Sequence, residues 1–275
     1  MSPFLEPTPR DFAHTNRSNP SICWGGKFEK HCIAGVSPAR QNCLVGDSFI
    51  ERLATRPDLL PLHHEYFPNW LNLGIGGDRA QHAQWRIDHG GFPDNPGRVL
   101  YMCGSNNIRS SNSKEASAIA HTILATITNI QSAHPSSELT VVGILPREND
   151  AKCRAAEVIN SILSYKLPAS VNFIQPPKVL FSNGLPNDIY FETDNIHLNL
   201  CGYKVLLNSI RSQTSLKPDA SPESMSFSSN PVLDCYAIGQ LEYLGGRMHS
   251  SDGAMSQSRV RASLPVRLPT HFPAS

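Results

Sequence analysis

The sequence predicts an α/β protein: a three-layer α/β/α sandwich around a five-stranded parallel, doubly wound sheet of the flavodoxin type. Three observations predict it. Short continuous apolar runs, clearest in LTVVGIL at 139–145, read as strands covered on both faces. Each run is followed by a stretch with helical periodicity. This strand–helix unit recurs five times between about 42 and 211, the pattern of parallel strands joined by crossover helices.

The units follow in order. A strand at 43–45 leads into a helix from Ser48, one at 71–73 into a helix at 80–89, and one at 99–103 into a helix at 114–134. A strand at 139–145 then precedes a helix at 151–166, and a strand at 171–174 precedes a helix at 199–211. Residues 1–40 are rich in Pro, Asn, Ser and Gly and read as a largely irregular arm, with Trp24 and Phe28 as its anchors on the domain at 41–211. Beyond 212 the composition shifts to Ser, Pro and Gly; this tail, 212–275, is expected to be disordered, with one short helix within 232–244.

Composition narrows the function only by exclusion. A net charge of +1 gives no global reason to expect nucleic acid, and Arg259, Arg261 and Arg267 in the tail read as solubilising. No stretch approaches the ~18 apolar residues of a membrane span, and the N-terminus lacks a basic region followed by an apolar core, so a cytoplasmic protein is expected. Seven scattered cysteines without a C-x-x-C pair suggest neither a disulfide framework nor a zinc site, and read as small core residues.

In an open α/β sheet, ligands bind outside the carboxyl ends of the strands, so the residues after each strand are the site candidates. After the first strand comes Gly46-Asp47-Ser48, after the second Gly74-Ile75-Gly76-Gly77-Asp78, and after the third Gly104-Ser105-Asn106-Asn107; Asp194-Asn195-Ile196-His197 comes late. Together they supply a hydroxyl, a close-approach backbone, a side-chain amide and an acid–base pair, the parts needed for acyl transfer. Ser48 is the candidate nucleophile and His197 its base, while Asp194, three residues earlier, can orient the imidazole. The Ser48 N–H, the Gly77 N–H and the Asn106 amide are the candidate oxyanion donors. Taken singly, each has a plainer reading. Ser48 with Glu51 forms an S-x-x-E capping box, the glycines suit a turn, and an Asp-x-x-His alone is ordinary surface sequence.

These blocks resemble the SGNH hydrolases, also called GDSL-like esterases and lipases, and among them are most similar to the catalytic subunits of intracellular platelet-activating factor acetylhydrolase. The text that carries the resemblance is VGDSFIERL, NLGIGGDRAQHAQWRI, GSNN, GILPR and DNIHLNLCGY, over about 24–211. It implies Ser48 as nucleophile, Gly77 and Asn106 as oxyanion donors, Asp194 and His197 as the remaining pair, and no cofactor or metal. It also implies pairing with a like subunit and a WD-repeat partner. The sequence departs from the family pattern at GSNN, where GTNN is expected, and at FSNGLPNDIYFET (181–193), which lacks a clear family match.

Adjacency makes Phe49, Ser105 and Ile196 the candidate acyl contacts, and the bulk of Phe49 and Ile196 favours acetyl or other short acyl esters. Asp47 reads as a structural acceptor of loop N–H groups, and Arg147 of GILPR as a residue that ties down its loop. Two rival readings are a metal-dependent phosphoesterase, using Asp47, Asn106, His197 and the His63–His64 pair, and a non-catalytic scaffold on the same fold.

Overall fold

The computed structural model describes residues 24–36 and 39–214, apart from the side chain of residue 113. The expectations for the first part of the arm, for the tail and its helix, and for Arg259, Arg261 and Arg267 lie outside these residues. The sheet contains β1 (Gln41–Gly46), β2 (Leu71–Gly74), β3 (Pro96–Met102), β4 (Glu138–Val142) and β5 (Val171–Ile174), in the order β2-β1-β3-β4-β5. All four pairings are parallel, as the sequence predicts. This is the doubly wound order whose switch point lies between β1 and β3.

Side chains alternate across the strands and feed two cores. Cys43, Val45, Val99 and Tyr101 face one side, with Ala83 of α4 (Ala80–Asp88), Ile119 and Ile123 of α5 (Ser113–Ala133) and Ile159 of α6 (Asp150–Lys166). Leu44, Leu100 and Met102 face the other, with Phe49 and Leu53 of α2 (Ser48–Thr55), Leu62 of α3 (Leu60–Tyr66) and Leu206 of α7 (Leu200–Gln213). The strands are thus covered on both faces, which is why they read as unbroken apolar runs.

Three elements differ from expectation. The arm is not irregular throughout, because Trp24–Gly35 form α1. Its sequence, WGGKFEKHCIAG, carries two early glycines and a weak helical pattern, so tertiary contacts stabilise it. Trp24 stacks on Phe28 at 5.5 Å between centroids, and Phe28 packs 5.2 Å from Trp85 of α4. The helix α3, where LPLHHEY has Pro61 in its first turn, was not expected, and a two-stranded antiparallel hairpin, β6 (Phe181–Ser182) with β7 (Leu185–Pro186), fills part of 181–193. Cys201 is in a disulfide, which corrects the reading of every cysteine as a plain core residue; pairing depends on spatial approach that spacing does not reveal. Cys43, Cys103 and Cys153 are free and buried as expected, and Cys32 is free and half-buried.

One ion pair beneath the sheet edge organises the loops. Asp78 and Arg86 are both fully buried, and Arg86 Nε donates to Asp78 Oδ2 at 2.8 Å. Arg86 also donates to the Leu73 and Gly46 carbonyls, at 3.1 and 3.4 Å, where β2 and β1 end. Trp24 Nε1 donates to Asp78 Oδ1 at 2.7 Å, which seats α1 on the same carboxylate. Removing one partner of such a pair leaves the other charge buried, which costs about 3–5 kcal/mol. Arg86→Ala is therefore expected to lower the stability by about that amount, measured as a fall in the urea midpoint; a loss under about 1 kcal/mol would refute the organising role.

Candidate active site

The strand register brings the candidate blocks together. Gly46 pairs with Gly74 of β2 and with Met102 of β3, so three strands end level and their loops leave from one edge. The turn after β1 is tight because Gly46 and Gly74 lack side chains: a Cβ on Gly46 would lie 2.3 Å from the Met102 carbonyl, and one on Gly74 2.2 Å from the Glu51 nitrogen. α2 is pressed against the strand ends, with Ser48 as its first residue.

The capping-box reading is corrected here. The residue that caps α2 is Asp47, whose carboxylate accepts from the Phe49 N–H at 3.1 Å. Glu51 instead reaches out of the helix: its Oε2 accepts from the Gly76 N–H at 2.9 Å, and its other oxygen pairs with Lys27 of α1. Ser48 already lies inside the helix, so its hydroxyl is left to face the late loop.

There Ser48 Oγ lies 3.0 Å from His197 Nε2, and His197 Nδ1 lies 2.6 Å from Asp194 Oδ2. Asp194 Oδ1 accepts from the N–H groups of Ile196 and His197, both at 2.9 Å. An Nδ1–H donated to the carboxylate leaves Nε2 as acceptor for the serine hydroxyl. Burial acts against the charged carboxylate of Asp194, but these three hydrogen bonds outweigh it and hold its pKa at about 2. His197 is lowered from 6.5, first by burial; Arg52 and Arg147 lower it further, while Asp194 raises it. The imidazole is therefore neutral, and able to accept a proton, at lower pH than a free one.

The glycine and asparagine loops approach the same hydroxyl. A Cβ on Gly76 would lie 3.7 Å from Ser48 Cβ, and Gly77 has φ 78°, a left-handed backbone that glycine adopts without strain. Asn106 Nδ2 donates to the Asp78 carbonyl at 2.9 Å, which locks the amide onto the glycine loop and leaves one amide hydrogen for another acceptor. Ser48, Gly77 and Asn106 are all half-buried.

The adjacent residues divide. Phe49 is buried, with its ring centroid 5.8 Å from that of His197. Ser105 is buried and donates to Asp47 Oδ2 at 2.9 Å, so its hydroxyl braces the turn that carries Ser48. Ile196 is half-buried beside His197. Asp47 accepts from both Phe49 and Ser105; burial pushes its pKa up to about 6 against those bonds and against Arg147. Arg147 Nε donates to Glu148 Oε2 at 3.0 Å, while its buried Nη1 has no partner. Glu192, Asp194 and His197 bring three metal-ligating atoms within 4.8 Å of one another, but Arg52 and Arg56 already pair with Glu192, and Asp194 serves His197. His63 lies on α3 and its Nε2 is buried without a partner, apart from this trio.

No family model matches the chain. The platelet-activating factor acetylhydrolase IB subunit alpha2 of Rattus norvegicus is 31% identical over 136 residues, 46% of this chain and 55% of that protein. The alpha1 subunit of the same enzyme from Rattus norvegicus is 26% identical over 181 residues, 61% of this chain and 72% of that protein. The first of these matches spans about half the length of the relative. A GDSL-like lipase from Bacteroides thetaiotaomicron superposes with a TM-score of 0.53 at 14% identity, covering 68% of this chain and 94% of that one. The chain has the SGNH hydrolase fold. The resemblance read from its sequence blocks thus agrees with both its relatives and its architecture. Among the described residues, no helix is long and apolar enough to cross a membrane.

The electrostatics give a test that needs no substrate. The His197 ring, followed by NMR, is expected to titrate below 6.5, and in Asp194→Asn, which removes the partner that raises it, lower still. An unchanged titration in that variant would show that the carboxylate does not act on the ring.

Proposed function

We propose that the chain is a serine esterase that hydrolyses short-chain, acetyl-type carboxylic esters through an acyl-enzyme on Ser48. The observation that carries the proposal is the continuous contact from Ser48 Oγ through His197 to Asp194, at 3.0 and 2.6 Å. Ser48 Oγ attacks the ester carbonyl as its proton passes to His197 Nε2, and Asp194 stabilises the imidazolium that forms. The N–H groups of Ser48 and Gly77 and the remaining Asn106 amide hydrogen receive the charge that develops on the carbonyl oxygen. His197 then protonates the departing alkoxide, and a water activated by the same base releases the acid. No metal or cofactor enters this scheme.

Names of relatives support the acetyl preference, since both are acetylhydrolase subunits, and support pairing with a like subunit; a WD-repeat partner rests on family likeness alone. Ile196, half-buried beside His197, would limit the space for the acyl group, whereas Phe49 is buried in the core and acts only by packing on the His197 ring. The compartment belongs to the proposal as well. The sequence favours the cytoplasm, and fractionation of the tagged protein tests it.

Purified protein is expected to hydrolyse p-nitrophenyl acetate in EDTA and to be labelled by a fluorophosphonate, with both lost in Ser48→Ala; turnover that survives this substitution would refute the assignment. Along a series of p-nitrophenyl esters, kcat/KM is expected to peak at acetate to butyrate. A maximum at octanoate or beyond would overturn the short-chain reading and leave the esterase reading standing.

A further inference from the structure

The contact between nucleophile and base joins two separate pieces of chain. Ser48 sits on α2, whereas Asp194 and His197 sit on a loop almost 150 residues later. That loop is closed on itself. Glu192 N–H donates to the His197 carbonyl at 2.8 Å, Asn195 N–H to the Glu192 carbonyl at 3.0 Å, and Asn199 N–H to the Tyr190 carbonyl at 3.0 Å. Asn195 turns the chain at φ 53°, and Leu198 is fully buried. These bonds fix the shape of the loop, but not its position against α2.

Position comes from packing and from cross-links. Tyr190, Phe191 and Leu198 of the loop share a core with Phe49 and Leu53 of α2, Phe49 packs on the His197 ring, and Tyr203 Oη of α7, which follows the loop, donates to the Phe49 carbonyl at 3.0 Å. A further link is ionic. Arg52 Nη1 lies 2.8 Å from Glu192 Oε2, and Arg56 pairs with the other oxygen of the same carboxylate. Arg56 is held in turn by Asp58, with Nε–Oδ1 and Nη2–Oδ2 at 2.9 and 2.6 Å. Residues 48, 52 and 56 recur every fourth position, so the Ser48 hydroxyl and the Arg52 guanidinium share one stripe of α2, and Arg56 continues it at the C-cap. Glu192 fastens this stripe to the base of the loop that carries His197.

We propose that Glu192, through Arg52 and Arg56, is a positioning residue that holds the His197 loop in register with Ser48. The inference rests on the esterase reading of this site and adds a residue that touches no reacting atom. It lies within 181–193, outside the blocks that carry the resemblance. The pairs are only partly exposed, about a quarter for both Arg52 and Glu192, so solvent screens them less than a fully exposed pair.

Charge and position can be read apart. The charged groups that act on the His197 ring are Asp194, Arg52 and Arg147, with the Glu192 carboxylate within 4.8 Å of the Asp194 and His197 ligand atoms. Glu192→Gln removes a negative charge and leaves Arg52 uncompensated, and both changes disfavour the imidazolium. Arg52→Gln has the opposite sign, and the double variant cancels the two.

The experiment compares wild type, Glu192→Gln, Arg52→Gln and the double variant by p-nitrophenyl acetate kinetics, by NMR titration of the His197 ring, and by thermal melting. Expected are a fall in kcat of about five- to tenfold in Glu192→Gln with KM within about twofold, the scale of a slightly misplaced base. The His197 pKa is expected to fall in Glu192→Gln, to rise in Arg52→Gln, and to return towards the wild-type value in the double variant, whose kcat stays low. Wild-type kcat in Glu192→Gln, or a kcat restored along with the pKa in the double variant, would overturn the positioning role. Should Glu192→Gln melt below the assay temperature, Arg52→Gln alone decides by the same kcat and KM criterion. A wild type without turnover would refute the esterase reading, while an unmoved ring titration in the single variants would refute the contact itself.

Discussion

The carboxyl edge of this sheet depends on the buried pair of Arg86 and Asp78. A guanidinium with several donors can hold several acceptors at once, and here one cation ties the Gly46 carbonyl of β1 and the Leu73 carbonyl of β2 to the carboxylate that follows the glycine loop. The Asp78 carbonyl then fixes the Asn106 amide, and its side chain receives the Trp24 indole. Three loops and the first helix therefore share one anchor. Buried ion pairs contribute little net stability compared with apolar packing, and what this one provides is a single arrangement of loops.

Around that anchor the site is assembled from groups of graded rigidity. The turn that carries Ser48 is the most enclosed part, because Asp47 is buried and bonded to both Phe49 and Ser105, and Gly46 and Gly74 let α2 close onto the strands. The glycine and asparagine loops are half-buried but pinned through Asp78 and Glu51. The loop with Asp194 and His197 is the most open, and its attachment to α2 combines an aromatic contact, a tyrosine hydroxyl and the Arg52–Glu192–Arg56 cluster. Positive charge from Arg52 and Arg147 favours a neutral imidazole in the resting site, while Asp194 favours the imidazolium. The imidazole is thus acted on in both directions, towards accepting a proton and towards releasing it.

The sequence by itself determined the five strands, most of the helices and the convergence of four blocks at the strand ends. These depend on local signals: apolar runs of strand length, helical periodicity, and small or polar residues after each strand. Ser48, Gly77 and Asn106 stood out as candidates because each comes soon after a strand, whereas Asp194 and His197 come well after β5 and stood out by their spacing of three. Tertiary structure decided the rest, because the deciding contacts join residues far apart in sequence. Residues 24–35 are a poor helix alone, and fold as one against Trp85 and Asp78. The S-x-x-E spacing satisfies the rule for a capping box, yet a nearby loop N–H and Lys27 claim Glu51, and Asp47 takes the cap. Ser105 and Phe49 stand next to site residues, but a neighbour in the chain faces a different way, so one braces Asp47 and the other packs into the core. Arg52 and Arg56 were not singled out by the sequence, because their partner Glu192 lies about 140 residues away and only the folded chain shows which acid they meet.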